Sequence, residues 1–170
     1  LTEFPHLHFS LRRHGAVVDP FNGTGEKCGD RGTKLWTRDT RQKLSYRPSA
    51  VYNMGFAARK PNPHKARLGL YDTDHVSGPV ETLFVTMEIF GAEPHDQIVT
   101  KLSNSSGRIT TQRKVILTVN RRKARLFHAT GFRKKNQTWP SGTFTADVEV
   151  FRKGEAGTWS FKGARKVTIN

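Results

Sequence analysis

The feature that most constrains the fold of this chain is an alternation of apolar and polar residues with a period of two. The strongest example runs over residues 80–90. From position 83 onwards, every second residue there is large and apolar: Leu83, Val85, Met87 and Ile89. Because successive side chains of a strand point to opposite sides of a sheet, this pattern predicts a strand with one face in a core. Residues 143–151 repeat the alternation and predict a second such strand.

Shorter strand-like segments separated by turn residues account for much of the remaining chain. They lie at residues 50–58, 98–102, 114–119, 123–131 and 166–169. A helical pattern is present only weakly, over residues 39–44. Regularly spaced strands without alternating helices are typical of antiparallel sandwiches rather than of parallel sheets. We therefore predict a mainly β fold in which residues 46–170 form an immunoglobulin-like β-sandwich.

The first 21 residues form a separate pattern. Leu7, Phe9 and Leu11 alternate with polar residues, which predicts a strand whose apolar side lies in a core. A turn over residues 13–16 and a short return strand ending at Pro20 follow. Residues 22–45 then contain many Gly, Lys, Asp and Thr residues, which indicates a linker or long loop. The predicted division is therefore 1–21, 22–45 and 46–170.

Two histidines in the first strand are the candidate chemical groups. His6 and His8 are separated by one residue, so on a strand both imidazoles point to the same side. Neighbouring neutral imidazoles suit a zinc site, in which one binds the metal and the other handles protons. A His-x-His pair alone is weak support, since two solvent-facing histidines on a strand give the same pattern. Both interpretations stay open from the spacing alone.

The surrounding residues resemble a known family. Residues 5–9, Pro-His-Leu-His-Phe, are followed by Arg12, by Gly15 and by Val-Asp-Pro at 18–20. This order and spacing resemble the closing segment of the lysostaphin/LytM-type zinc metallopeptidases, which are peptidoglycan endopeptidases. The resemblance implies that residues 1–21 are the C-terminal hairpin of a truncated LytM-type antiparallel β-domain. It covers only residues 1 to about 21 of the chain.

The resemblance also implies roles for the two histidines. His8 matches a Zn²⁺ ligand of the family, and His6 matches the catalytic histidine beside the metal. The family's remaining ligands come from a His-x-x-x-Asp motif, and no Asp stands four residues after any histidine of this sequence. A catalytic zinc needs about three protein ligands. We therefore expect this chain to be inactive by itself and its longer parent to hydrolyse peptide crosslinks of peptidoglycan.

The resemblance further implies an exported protein, located in the periplasm or cell envelope, because peptidoglycan lies outside the cytoplasm. The chain begins at Leu1 and its first residues show no signal-peptide layout, so we expect any signal or anchor to lie upstream. Cys28 is the only cysteine and forms no disulfide within this chain. No apolar run approaches the roughly 20 residues of a transmembrane helix.

The charge of the chain points to polyanionic partners. Lys and Arg number 29 against 14 acidic residues, which gives a formal net charge of +15. Such an excess favours nucleic acid, anionic lipid or an anionic polymer of the bacterial envelope, although solubility explains it equally well. Besides Arg152 and Lys153, the basic residues cluster at two places, and these are the candidate contacts with a polyanion or the cell wall: Arg121, Arg122 and Lys123, and Arg133, Lys134 and Lys135.

Basic residues at strand ends usually form a solvated rim that prevents edge-to-edge pairing, and we favour that role for these clusters. If they bind a ligand, the peptidase context favours peptidoglycan or another anionic envelope polymer over nucleic acid. Trp139 and Trp159, next to turns, suit either a glycan-binding surface or the core. The alternative to a peptidase is a non-catalytic polyanion-binding or hydrolase-activating protein with a degenerate peptidase domain.

Overall fold

Strands dominate the part of the chain that the structure describes, which confirms the predicted mainly β fold. The computed structural model describes residues 9–21, 35–44, 49–135, 137–154 and 157–170. The chain divides into two compact units, Leu1–Pro48 and Ser49–Asn170. No helix within the described ranges is long and apolar enough to cross a membrane. The predicted limits 1–21, 22–45 and 46–170 stay predictions.

The first unit contains a short hairpin and a short helix. Strands β1 (Leu11–Arg13) and β2 (Ala16–Val18) pair antiparallel, with Arg13 opposite Ala16. His14 and Gly15 connect them at φ values of 49° and 83°, as a two-residue hairpin turn with positive φ at both positions requires. Helix α1 (Arg38–Lys43) begins after Thr37, whose hydroxyl accepts a hydrogen bond from the Thr40 amide at 3.2 Å.

Two details of the predicted first strand differ from the structure. Phe9 and Ser10 precede the strand, which begins at Leu11 and extends through Arg13. Phe9 is 60% exposed rather than anchored in a core. Its ring stacks on Trp36, with ring centroids 6.1 Å apart, and Phe21 contacts the same indole edge-on at 6.2 Å. Among the described residues of the first unit, Phe9 and Phe21 thus pack against Trp36.

The second unit consists of two sheets. The five-stranded sheet has the order β4-β10-β9-β6-β7 and the three-stranded sheet has the order β3-β5-β8. All pairings are antiparallel except that of β4 with β10. The elements are β3 (Ala50–Ala57), α2 (Pro63–Arg67), β4 (His75–Val76), β5 (Thr82–Ala92), β6 (Gln97–Asn104), β7 (Ile109–Ile116), β8 (Lys123–Arg133), β9 (Gly142–Gly154) and β10 (Gly157–Ile169).

The chain crosses between these sheets several times. It passes from β5 to the five-stranded sheet for β6 and β7, returns for β8 and crosses again for β9 and β10. Such crossings are typical of Greek-key sandwiches, to which immunoglobulin-like domains belong. The predicted combination of a LytM-type hairpin with an immunoglobulin-like sandwich remains a prediction.

One apolar cluster forms the core of the second unit. The four alternate residues of β5 that predicted a buried face, Leu83, Val85, Met87 and Ile89, are each 0% exposed. They belong to one buried cluster with side chains of β6 and β9, such as Ile98 and Val150. Burial of this alternating face provides the main driving force for pairing the two sheets.

His128 on β8 is the one histidine of the second unit whose pKa is shifted among the described residues. Burial disfavours the charged imidazolium and lowers the pKa of His128 below its usual value. Its Nε2 lies 3.3 Å from Thr130 Oγ1, and that hydroxyl lies 3.2 Å from Thr100 Oγ1. His128, Thr130 and Thr100 therefore form a row of uncharged polar side chains in the sandwich.

Acidification is expected to destabilise the second unit through His128. The unfolded state binds the proton at a higher pH than the folded state does, so stability is complete above pH 6.5 and falls as the pH drops below it. The loss stops at the lowered pKa and cannot exceed about 1.4 kcal/mol per pH unit. Urea unfolding at pH 7.5 and 5.0 should show a smaller loss for His128→Gln than for the unaltered chain. Equal losses in both would contradict the prediction.

Candidate functional site

The predicted zinc-binding and catalytic histidines, His8 and His6, lie outside the described residues, as does Cys28. The hairpin that follows them is described. Arg12 donates a hydrogen bond from Nη1 to the Gly15 carbonyl at 3.0 Å, which reinforces the turn. Asp19 accepts one from the Phe21 amide at 2.8 Å. No group of three or more His, Cys, Asp or Glu residues within the described ranges could hold a metal ion.

The two predicted basic clusters lie at opposite ends of β8. Arg121, Arg122 and Lys123 form the β8-start cluster, and Arg133, Lys134 and Lys135 form the β8-end cluster. The strand between them has 11 residues and spans about 33 Å. The structure therefore places the two clusters, each predicted as a candidate polyanion contact, one strand length apart.

Two cations of the β8-end cluster have partners within the fold. Arg133 Nη2 lies 3.6 Å from the Glu81 carboxylate. Lys134 Nζ lies 5.0 Å from the ring centroid of Trp139, as in a cation–π contact. Trp139 is 4% exposed and donates a hydrogen bond from Nε1 to the Phe132 carbonyl at 2.9 Å. Trp139 is thus a core residue, and it offers no surface for a glycan.

The β8-start cluster approaches a buried ionic network centred on Arg152. Arg122 Nε lies 3.8 Å from Glu93 Oε1, and Arg152 Nη1 lies 2.9 Å from the same oxygen. Glu93 belongs to the turn between β5 and β6, whereas Arg152 lies near the end of β9. One carboxylate therefore connects basic residues that are about 30 positions apart in the sequence.

Arg152 is buried, in contrast to the solvated rim predicted for the basic residues at strand ends. It is 6% exposed, and its guanidinium binds the Asp96 carboxylate through two hydrogen bonds of 2.7 and 2.5 Å. Further hydrogen bonds reach the Ser49 hydroxyl at 2.9 Å and the Gly91 carbonyl at 2.8 Å. Burial of a guanidinium is tolerated only with such complete pairing, so this side chain is rigidly held.

Trp159 lies directly against this guanidinium. The Arg152 Cζ atom is 4.9 Å from the Trp159 ring centroid, and the Phe161 ring centroid is 5.6 Å from that of Trp159. Trp159 is 37% exposed, so a substantial part of the indole faces solvent. We use the name basic end for the β8-start cluster together with Glu93, Arg152 and Trp159.

The outer face of the five-stranded sheet contains a groove of about 580 Å³. Two lysines and two carboxylates line it: Lys101, Lys162, Asp147 and Glu149. Glu149 Oε1 accepts a hydrogen bond from the Ser160 hydroxyl at 2.8 Å and lies 3.1 Å from Lys162 Nζ. The Ser160 hydroxyl, assisted by Lys162, lowers the pKa of Glu149. Because its charges balance, this groove has less attraction for a polyanion than the basic end has.

Glu93 and Asp96 were not predicted as members of a site. They flank Pro94 and His95 in a turn where His95 has a φ of 66°, an uncommon value for a residue other than Gly. Asp96 accepts a hydrogen bond from the Glu93 amide at 2.9 Å, which closes the turn. The sequence signal for this site was the presence of two acidic residues in a tight turn. Their partner, Arg152 on β9, is brought to them only by the tertiary fold.

Comparisons with known proteins leave the family of the chain undetermined. No protein-family model matches it, and no curated protein matches it. Among solved structures it is similar to a Bifidobacterium dentium β-glucuronidase complexed with coumarin-3-O-glucuronide, with a TM-score of 0.41 and 10% identity. The match covers 71% of this chain but only 18% of the glucuronidase chain. A likeness of this size carries no argument about activity.

Proposed function

We propose that the chain is the C-terminal part of an exported zinc metalloendopeptidase that hydrolyses peptide crosslinks of bacterial peptidoglycan. The observation that carries the proposal is the order of residues 5–9 and 18–20, Pro-His-Leu-His-Phe and Val-Asp-Pro, on either side of Arg12 and Gly15. The tight turn at His14 and Gly15 is compatible with this proposal, because it lets two short strands pair within that spacing.

The chain alone does not fit a catalytic zinc centre. By the resemblance it contributes one ligand, His8, whereas such centres take about three protein ligands. The proposal therefore concerns a longer parent protein whose upstream residues supply the others. For the present chain we expect no hydrolytic activity.

In this proposal the second unit is an accessory β-sandwich that binds peptidoglycan or another anionic envelope polymer. Its most extensive ionic cluster in the described residues is the Arg152 network, in which every charged group contacts an opposite charge. Such a network suits structure and binding better than acid–base chemistry. The net charge of +15 and the basic end support an anionic partner.

Replacement of His8 in the parent protein tests the enzymatic proposal. His8→Ala is expected to remove bound zinc and to lower peptidoglycan hydrolysis more than about 100-fold, because losing a metal ligand should cost more than losing an outer-shell partner. Zinc content per chain and turbidity loss of purified peptidoglycan are the measurements. His75→Ala, an exposed histidine of the second unit, is the control and should change neither. Full zinc content and activity in His8→Ala would refute the assignment of this ligand.

The alternative is a non-catalytic protein that binds envelope polyanions or activates other hydrolases. The basic end favours this candidate, because its exposed Trp159 indole lies against Arg152, whose carboxylate partner also pairs with the exposed Arg122. Salt-sensitive binding to peptidoglycan by the parent, without hydrolysis and without zinc, would support it over the peptidase.

A further inference from the structure

We propose that the basic end is a binding site for an anionic polysaccharide. A sugar ring stacks on the exposed part of Trp159, and acidic groups of the same chain contact the β8-start cluster. This inference rests on the part of the proposed function that assigns an anionic envelope partner to the second unit. It does not depend on peptidase activity.

The fold preorganises Trp159 for stacking. The indole rests against Arg152, whose guanidinium is held by Asp96, Ser49 and the Gly91 carbonyl. Phe161, two residues further along β10, packs against the same ring. A ring fixed in this way loses little conformational entropy when a ligand binds. The negative face of an aromatic ring attracts the C–H groups of a sugar, while the 37% exposure of Trp159 makes part of that ring accessible.

The charge distribution near that ring favours an acidic ligand. Arg121 and Arg122 are exposed, and Glu93 Oε1 joins Arg122 to Arg152, which itself lies against Trp159. Glu93 and Asp96 pair with Arg122 and Arg152, and the residues on either side of Arg122 in the sequence, Arg121 and Lys123, add two positive charges. The balance is positive, so acidic groups of a ligand are attracted next to the stacking surface.

The other candidate surfaces lack one of the two features. At the β8-end cluster the neighbouring tryptophan, Trp139, is 4% exposed and already covered by Lys134. The groove on the five-stranded sheet has balanced charges. Within the described ranges, the basic end therefore combines an exposed tryptophan with an excess of positive charge. A site with both features should bind a charged polysaccharide in preference to a polyanion without rings, such as polyphosphate.

Binding of three probes to the 170-residue chain tests the inference. The probes are an oligogalacturonate, whose sugar rings bear carboxylates, a neutral maltooligosaccharide of equal length, and inorganic polyphosphate of equal charge. At low salt the oligogalacturonate should bind at least about tenfold more tightly than the neutral sugar. Trp159→Ala should weaken oligogalacturonate binding about tenfold, as loss of an aromatic anchor does, with less than about twofold effect on polyphosphate.

Charge variants provide the matched comparison. The double variant Arg121→Gln/Arg122→Gln should weaken oligogalacturonate and polyphosphate alike, by about tenfold at low salt. Arg133→Gln/Lys135→Gln removes the same charge from the far end of β8 and should change oligogalacturonate binding less than about twofold. If both double variants weaken oligogalacturonate equally, the attraction is general and the site is refuted.

One further control variant separates loss of the aromatic face from loss of packing. Trp159→Leu retains apolar volume without an aromatic face, so it should weaken oligogalacturonate as Trp159→Ala does while keeping the melting temperature. Unchanged oligogalacturonate affinity in both tryptophan variants would overturn the inference, and so would tighter binding of polyphosphate than of oligogalacturonate. Because no hydrolysis is measured, a parent protein without zinc-dependent activity would refute the peptidase proposal and leave this result intact.

Discussion

Arg152→Met is expected to destabilise the second unit by about 3–5 kcal/mol, the range for breaking a buried ion pair by removing one partner. The Asp96 side chain is 0% exposed and receives two hydrogen bonds from Arg152. Without the guanidinium, its carboxylate keeps the hydrogen bond from the Glu93 amide but loses its compensating charge. Ser49 and the Gly91 carbonyl lose a donor at the same time. Urea unfolding followed by circular dichroism measures the loss.

The double variant Asp96→Asn/Arg152→Met separates the ion pair from simple packing. Because no uncompensated charge then remains buried, the pair of substitutions should cost less than the sum of the two single losses. Lys153→Met is the control, since Lys153 is exposed and the change should stay within about 0.5 kcal/mol. A loss below about 1 kcal/mol for Arg152→Met would show that the network contributes little to stability.

Gly55→Ala is the second substitution with a large expected effect, about 3 kcal/mol or more of destabilisation. A Cβ atom at position 55 would lie 1.9 Å from the Tyr71 carbonyl oxygen and 2.6 Å from its carbonyl carbon. Because both are backbone atoms, the steric clash can be relieved only by moving the chain segment at Tyr71. That carbonyl also accepts a hydrogen bond from the Phe56 amide at 3.0 Å, which such a movement would break.

Gly154→Ala is the matched control for this prediction. Among the described residues, the nearest neighbour of its Cβ would be the Gly157 carbonyl oxygen at 3.7 Å, an ordinary contact. We expect a cost below about 1 kcal/mol, mainly a local effect at the end of β9. Thermal unfolding of both variants provides the comparison. Similar melting temperatures for Gly55→Ala and the unaltered chain would contradict this prediction. They would mean that the segment at Tyr71 moves at little cost in stability.

The alternation of apolar residues predicted most strands of the second unit. The apolar face of residues 80–90 is buried in β5, and the segment predicted at 50–58 corresponds to β3 (Ala50–Ala57). The strand predicted at 114–119 overlaps β7 (Ile109–Ile116) only over 114–116, because the polar and exposed residues at the start of β7 give no period of two. Helix α2 (Pro63–Arg67) was missed because five residues after Asn62 are too short for a visible helical period.

The other face of β5 shows why burial of polar residues was not predicted. Thr86 and Glu88 are each 4% exposed, although the alternation placed them opposite the core face. Glu88 accepts a hydrogen bond from Asn53 at 3.2 Å and pairs with Arg125 of β8. Sequence alternation reports which face is apolar, and it does not report that neighbouring strands and the segment of Tyr71 cover the polar face.

The sequence by itself determined the strand-rich character of this protein, the turn at His14 and Gly15, and the histidine pair on which the peptidase proposal rests. These are local properties, set by side-chain alternation, by backbone preference and by the spacing of a few residues. The tertiary structure decided which basic residues are buried and which exposed aromatic ring they support. Arg152, Asp96 and Trp159 come together because strand crossings bring distant segments to one end of a sandwich, and no local pattern specifies that meeting.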